Sequence, residues 1–138
     1  AVWLLNYAET IDQLRAMLRG VRAQLRDGGR FVTITFNPEF TLTGPNLTKY
    51  GLEMLAQERQ GDRPVIEGRF CTDPPSEPVT VSQWSRETYE AAFADTGFGE
   101  LDWELYRVPP DLSDTLGDGY WDDLRSNGTG VAIVARGV

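Results

Sequence analysis

Residues 27–36 read DGGRFVTITF, and this stretch contains the end of a helix followed by a strand. Gly28 and Gly29 predict the end of the helix, because glycine adopts the left-handed cap conformation without strain. The β-branched and aromatic residues at positions 30–36 are typical of a strand. We expect that strand to end at Asn37-Pro38, since proline cannot donate a hydrogen bond within a central ladder.

A helix over residues 10–26 is predicted directly before this strand. Thr10 and Gln13 have the spacing of a capping box. Apolar residues then recur at helical spacing, namely Ile11, Leu14, Met17, Leu18, Val21 and Leu25. Residues 1–8 read AVWLLNYA, an apolar run that suits a strand covered on both faces in a parallel sheet. Strand, helix and strand together predict a βαβ unit with a parallel pair of strands.

Residues 39–80 have a different composition from the segments on either side. Short apolar stretches alternate there with prolines, at Pro45, Pro64, Pro74, Pro75 and Pro78. We expect two or three short, antiparallel strands that form an excursion from the main sheet. An irregular segment of this length is more often a functional lid or binding loop than a plain connection.

The remaining residues predict a helix, two strands and a helical turn. Ser85 is a candidate N-cap for a helix that ends near Gly97. Residues 101–108 alternate as a strand, residues 120–124 suit a helical turn, and residues 130–135 form a final apolar strand. The whole pattern is that of one α/β domain.

Composition limits the classes of function. The chain has 138 residues, of which 41% are hydrophobic and 25% charged, so it can bury an ordinary core. Its 21 acidic and 13 basic residues give a net charge of −8, which disfavours nucleic acid as a partner. No apolar run approaches the roughly 20 residues that span a bilayer, so we expect no membrane partner. The first residues do not form a signal peptide, which favours a cytoplasmic location.

The chain contains no histidine and one cysteine, Cys71. These counts exclude an internal disulfide, a Cys/His zinc site, a Ser-His-Asp triad and a Cys-His dyad. We expect Cys71 to be a small buried or half-buried residue. The spacing of the aspartates near the C-terminus does not match a calcium loop, so they predict a solvated face and no metal site: Asp111, Asp114, Asp118, Asp122 and Asp123.

Three stretches, taken in order, resemble the C-terminal half of class I S-adenosylmethionine-dependent methyltransferases. Residues 3–32 are similar to the fourth strand of that family, its helix and the L-x-x-G-G-R-F turn into the fifth strand. Residues 84–98 are similar to the helix ahead of the sixth strand, which commonly ends in G-F. Residues 120–122, Tyr-Trp-Asp, are similar to small-molecule methyltransferases of the toxoflavin-synthesis type.

This resemblance implies an α/β fold: a partial Rossmann-like methyltransferase sheet of strands four to seven, with the last strand antiparallel and a small β-rich insertion. Residues 1–138 would be the substrate-side part of a methyltransferase domain, and residues 39–80 a β-rich lid within it. The family's glycine-rich turn and ribose-binding carboxylate have no counterpart here. We therefore expect a chain that is the later part of a longer protein, although a natural short protein remains the alternative. The missing N-terminal half, or a second chain, would pair along the first strand, and a homodimer is a further expectation.

The implied function is an S-adenosylmethionine-dependent N- or O-methyltransferase that acts on a small molecule. Methyl transfer from a sulfonium mainly requires alignment and the exclusion of water, so a chain without histidine is compatible with it. No catalytic residue is assigned. The alternative is a non-catalytic, methyltransferase-like binding or scaffold module that has lost the cofactor.

The resemblance implies that S-adenosylmethionine lies beside the opening residues. Ala1, Trp3 and Leu4 would contact its methionine part with backbone carbonyls, and Asn6 and Tyr7 would lie near the transferred methyl group. The alternative is that the apolar residues belong to the core and that Asn6 and Tyr7 form a helix entrance.

Candidate substrate-binding residues come from three places. Asn37 follows the strand at residues 30–36 and could bind substrate, or it could make an ordinary turn before proline. Large apolar side chains in and beside the excursion are candidates for a lid over an apolar ligand, with local packing as the alternative for each: Phe40, Tyr50, Met54, Phe70 and Trp84. Tyr120 and Trp121 could fold over the same opening, or anchor a surface helix.

Overall fold

The structure is a computed structural model that describes residues 1–105, 107–109, 112, 116–117 and 119–138. Within these residues the helices are α1 (Ile11–Gln24), α2 (Arg86–Ala94) and α3 (Asp122–Asn127), with short 3₁₀ helices at Leu5–Tyr7 and Thr48–Tyr50. The strands are β1 (Arg30–Phe36), β2 (Leu52–Gln60), β3 (Arg63–Phe70), β4 (Val79–Ser82), β5 (Phe98–Leu105) and β6 (Gly130–Gly137). The order of elements matches the predicted α/β pattern.

The first sheet has the strand order β1-β6-β5, and both pairings are antiparallel. β1 and β5 are therefore parallel to each other, with the last strand inserted between them in the opposite direction, as predicted. Helices α1 and α2 pack on this sheet through residues that are almost completely buried, among them Leu14, Leu18, Phe31, Tyr89, Phe93 and Ile133.

The opening residues pair with β1 in the parallel direction, but over a much shorter length than predicted. A single bridge joins Val2 to Ile34, with hydrogen bonds from the Ile34 amide to the Ala1 carbonyl (3.0 Å) and from the Trp3 amide to the Ile34 carbonyl (2.8 Å). Trp3 then has a φ of 54°, which ends the extended backbone, and Leu5–Tyr7 form a 3₁₀ helix. The expectation of a longer strand covered on both faces was wrong, because Val2 is 63% exposed at a free edge.

The excursion forms a second sheet with the strand order β2-β3-β4, and both of its pairings are antiparallel. Two or three antiparallel strands were expected in this region, and the structure has three. β2 and β3 join through a tight turn in which Gly61 has a φ of 64°, a conformation that favours glycine. A second, smaller core lies under this sheet and contains Phe36, Phe40, Leu47, Ile66 and Val81.

Both predicted helix starts are capped as expected. The Thr10 hydroxyl accepts from the Gln13 amide at 3.1 Å, and the Ser85 hydroxyl accepts from the Thr88 amide at 3.2 Å. The strand predicted at 101–108 instead begins at Phe98, directly after Gly97, whose positive φ of 86° reverses the chain after α2.

Three further expectations concerned Cys71, the aspartates near the C-terminus and membrane-spanning helices. Cys71 is exposed, which corrects the expectation of burial, because it follows the last residue of β3 and leaves the sheet with it. Asp111, Asp114 and Asp118 lie outside the described residues. Within the described part of the chain, no helix is long and apolar enough to cross a membrane.

Candidate functional site

A cavity of about 320 Å³ lies between the opening residues and the second sheet. Most of its lining is apolar, and the larger contributors are Trp3, Tyr7, Phe36, Leu52, Met54, Ile66, Phe70, Val79 and Val81. Asn6, Arg69 and Thr129 supply the polar side chains. A cavity of this size and character is typical of a site for a small molecule.

The fold brings these residues together at the carboxyl ends of the opening strand and β1, where ligands bind in open α/β sheets. Hydrogen bonds from Ser82, the last residue of β4, and from Gln83 hold the second sheet over these ends. The Ser82 hydroxyl donates to the Ala8 carbonyl at 2.6 Å. The Gln83 side chain donates to the carbonyls of Asn37 (3.1 Å) and Phe40 (2.9 Å).

Asn6 is the most unusual residue of the cavity wall. Its side chain lines the cavity, the residue is only 2% exposed, and its Oδ1 atom is buried without a hydrogen-bond partner. Neither end of its carboxamide makes a hydrogen bond to any described residue. Leaving such a group unsatisfied costs roughly 1–3 kcal/mol, so its position calls for an explanation beyond packing.

Arg69 is the single charged residue among the described residues that line the cavity. Its Nε atom donates to Glu53 Oε2 at 2.6 Å, and both side chains are about one-third exposed, at 35% and 38%. The charge of Arg69 is thus engaged by Glu53, which does not itself line the cavity.

Asn37 is buried to a similar degree, at 6% exposure, but its side chain is fully used within the chain. Its Nδ2 donates to the Gly128 carbonyl at 2.9 Å, and its Oδ1 accepts from the Glu39 amide at 3.0 Å. It does not line the cavity. The turn-forming alternative accounts for all of these contacts, and a role in binding substrate stays a prediction.

The predicted lid residues separate into two groups. Phe70 and Met54 line the cavity. Phe40 packs edge-on against Phe36 at 5.5 Å, and Trp84 is buried with its Nε1 donating to the Ala8 carbonyl at 3.1 Å. Neither Phe40 nor Trp84 lines this cavity, and the contacts of both fit the packing alternative, so their roles in binding substrate stay predictions.

Tyr50, Tyr120 and Trp121 form an aromatic cluster beside the cavity. The Tyr50 ring stacks on Trp121 at 5.5 Å and meets Tyr120 edge-on at the same distance. The Tyr50 hydroxyl donates to the Tyr120 carbonyl and accepts from the Leu124 amide. These contacts fasten the Thr48–Tyr50 helix to α3, next to the wall of the cavity rather than in it.

An ion pair supports this aromatic cluster. Lys49 lies 2.7 Å from Asp123, and its Nζ is 5.2 Å from the centre of the Tyr50 ring. The hydrogen bond to the Asp123 carboxylate raises the pKa of the Lys49 ammonium, which stays protonated in this arrangement.

The opening residues offer backbone groups that suit a cofactor. The carbonyls of Val2 and Trp3 have no hydrogen-bond partner within the described chain, while the Ala1 and Leu4 carbonyls accept from Ile34 and Tyr7. Ala1 and Leu4 do not line the cavity, whereas Trp3, Asn6 and Tyr7 do. An ammonium group needs oxygen acceptors of this kind.

Sequence reasoning named Met54 and Phe70 but missed the other apolar residues of the second sheet that line the cavity, Leu52, Ile66, Val79 and Val81, together with Arg69 and Thr129. A signal was present, since Val65 and Ile66 in β3 and Val81 in β4 interrupt otherwise polar stretches. This pattern predicts that the residues are buried, but it does not distinguish burial in a packed core from burial in the wall of a cavity.

No family model and no curated protein sequence matches this chain. Solved structures do. One match is a protein from Listeria monocytogenes described as an S-adenosylmethionine-dependent methyltransferase. Its TM-score is 0.64 and its sequence identity 16%, and the match covers 99% of this chain and 59% of the Listeria chain. CalS10, an amino pentose methyltransferase from Micromonospora echinaspora, matches with a TM-score of 0.56 and 21% identity over 99% of this chain and 57% of its own.

The chain has the fold of the C-terminal half of a class I methyltransferase. A methyltransferase from Mesorhizobium loti agrees, with a TM-score of 0.54 and 22% identity over 98% of this chain and 59% of its own. The chain thus spans little more than half the length of these methyltransferases, as expected for their C-terminal half. The opening residues, β1, β5 and β6 take the places of strands four to seven. These neighbours depend on S-adenosylmethionine, and CalS10 was solved with it bound.

Proposed function

We propose that the complete protein is an S-adenosylmethionine-dependent N- or O-methyltransferase of a small molecule, and that this chain is its substrate-side part. The observation that carries the proposal is the cavity at the carboxyl ends of the opening strand and β1. It has the size of a small-molecule site, an apolar wall and a buried polar group without a partner. The methyltransferase fold supports the reaction class.

On the cofactor side, we propose that Ala1, Trp3 and Leu4 contact the methionine part of S-adenosylmethionine, and that Asn6 and Tyr7 lie near its transferred methyl group, where cofactor and substrate meet. The unpaired carbonyl of Trp3 fits the ammonium of its methionine part. When bound, S-adenosylmethionine supplies an activated methyl group that leaves a neutral thioether. The described residues of the cavity wall include no carboxylate, and the chain has no histidine. This chain's contribution is therefore to orient the substrate and exclude water, rather than to accept a proton.

Isothermal titration of the full-length protein with S-adenosylmethionine and with its demethylated product tests this function. We expect both to bind and to compete with each other. Binding of neither would overturn the proposal and favour the alternative of a non-catalytic module. Transfer of a labelled methyl group to a small-molecule extract would then separate an active enzyme from a module that binds the cofactor without reaction.

We propose further that the free edge at Val2 pairs with the preceding strand of a complete methyltransferase sheet. In a parallel strand, alternate residues direct their backbone groups to opposite sides. Ala1 and Trp3 bond to β1, so the amide and carbonyl of Val2 face the open edge. Val2 is 63% exposed and Leu4 43% exposed, so this edge is also apolar. The greater length of the neighbouring methyltransferases supplies the strands that would cover it.

Sedimentation of the isolated 138-residue chain tests this edge. We expect it to dimerise or aggregate, because exposed apolar edges pair with other chains. Val2→Pro removes the outward amide without touching the bonds to β1, so it should restore a monomer. Leu105→Lys, on the opposite edge of the same sheet, is the matched control and should not. A monomeric parent chain, or rescue by the control alone, would contradict the assignment.

A further inference from the structure

We infer that Asn6 is a substrate-binding residue, and that the cavity takes an uncharged ring compound whose hydroxyl or amide group pairs with its carboxamide, in preference to an alkylammonium. This deepens the proposed function, because it rests on treating the cavity as the substrate site. Three properties of the cavity lead to it: an unpaired carboxamide, the distribution of charge, and the shape of the apolar wall.

The unpaired carboxamide of Asn6 identifies the polar contact. A side chain that is 2% exposed and has a buried, unpartnered Oδ1 in a cavity wall is a binding group without its ligand. A carboxamide offers one oxygen acceptor and two N–H donors. A hydroxyl or an amide can satisfy it, whereas an entirely apolar ligand would leave the cost of burial in place.

The distribution of charge selects against a cation. The described lining residues include one arginine and no carboxylate. Glu53 is held by Arg69 at 2.6 Å, so its charge is already engaged. An ammonium ion that entered the cavity would lose water without gaining a counter-ion, which is costly in an apolar site. A phenol or a similar uncharged hydroxyl compound pays no such penalty.

The apolar wall favours a ring. Trp3, Phe36 and Phe70 present aromatic surfaces, and Met54 supplies a flexible thioether between them and β3. Aromatic and thioether groups pack well against ring faces and edges. A volume of about 320 Å³ accommodates one fused bicyclic compound together with a polar substituent.

Isothermal titration of the full-length protein with three matched probes tests this inference: 2-naphthol, naphthalene and 1-naphthylmethylammonium. We expect 2-naphthol to bind best and the ammonium compound worst. Asn6→Ala should weaken 2-naphthol binding about tenfold, the usual range for one hydrogen bond, and leave naphthalene unchanged. Val79→Ala, in the apolar wall, is the matched control and should weaken both uncharged probes by the same factor.

Asn6→Asp supplies the second variant. A carboxylate at this position should make the ammonium compound the preferred probe, while retained naphthalene binding shows that the cavity is folded. Equal binding of 2-naphthol to the parent protein and to Asn6→Ala would overturn the role of Asn6. Ammonium binding as tight as 2-naphthol binding in the parent protein would overturn the charge preference.

Titration of the same samples with the demethylated cofactor separates this inference from the proposed function. Cofactor binding without binding of any probe overturns the inference and leaves the methyltransferase proposal standing. Probe binding with the predicted Asn6 dependence, but without cofactor binding, supports the inference and overturns the methyltransferase proposal.

Discussion

The two sheets of this chain are built from the same antiparallel pairings but are packed very differently. The first sheet lies under α1 and α2, and Phe93 of α2 and Ile133 of β6 are completely buried in the core between them. In the second sheet, β2 contains no fully buried residue, and one face looks into a cavity. The difference indicates that the first sheet maintains the fold, while the second is less tightly packed and forms one wall of the cavity.

Two asparagines repeat this difference on a smaller scale. Asn6 and Asn37 follow neighbouring parallel segments and are buried to a similar degree, at 2% and 6% exposure. Asn37 uses both ends of its carboxamide within the chain, and Asn6 uses neither. One residue is thus structural by its contacts, and the other is available for a contact from outside the chain.

The largest expected effect comes from truncating one residue of the core between the first sheet and its helices, and one residue of the cavity wall in the second sheet. Phe93→Ala removes a fully buried ring that packs against Phe31 and Phe98, so it should lower the free energy of unfolding by about 3–5 kcal/mol. Leu52→Ala, in the cavity wall, removes a half-buried side chain next to existing empty space and should cost about 1 kcal/mol. Urea denaturation of the full-length protein measures both. Equal losses would mean that the second sheet is as much a core element as the first.

The asparagine pair should show a smaller contrast. Asn37→Ala breaks one buried and one part-buried hydrogen bond and leaves their partners unpaired, so it should lower the free energy of unfolding by about 2 kcal/mol. Asn6→Ala removes a group that has no partner to lose, so we expect a change within about 0.5 kcal/mol or a slight stabilisation. The same denaturation curves give both values. A large loss for Asn6→Ala would assign it an internal role and remove the main argument for a binding group.

Much of the first sheet could be predicted from the sequence because its signals are local. Thr10, the apolar stripe of α1 and the two glycines at 28–29 define the helix, and β-branched residues define β1. The length of the opening strand could not be predicted. Its apolar residues suit a covered strand, but Trp3 adopts a φ of 54° and ends the pairing after one bridge.

The candidate site was less accessible to sequence reasoning, for a physical reason. Phe70 and Trp84 are both large apolar residues near the excursion, but only Phe70 lines the cavity. Phe70 pairs with Leu52 at the end of β3, whereas Trp84 lies beyond β4 and packs in the core of the first sheet. Likewise, nothing local distinguishes Asn6 from Asn37. The difference lies in whether other segments bring partners to the carboxamide, which is a property of the tertiary fold.

The buried hydroxyl pair of Tyr89 and Thr35 should make the stability of the first sheet depend on pH, which offers a further test of the difference between the two sheets. Tyr89 is fully buried, its hydroxyl lies 2.6 Å from the Thr35 hydroxyl, and burial raises its pKa to about 12. Because an unfolded tyrosine ionises near pH 10, the contribution of the neutral phenol to stability is complete below that pH and is lost between about pH 10 and 12.

Tyr89→Phe should lower the free energy of unfolding at pH 7 by about 1 kcal/mol, because it leaves the Thr35 hydroxyl without this partner. The variant should also lose less stability than the parent protein between pH 10 and 12, because it has no phenol to ionise. Thr35→Val is the matched control: it removes the same hydrogen bond but keeps the buried phenol, so the alkaline loss should persist. An identical alkaline profile for the parent protein and Tyr89→Phe, measured by urea denaturation at each pH, would show that the phenol is not held in the dry core that distinguishes the first sheet from the second.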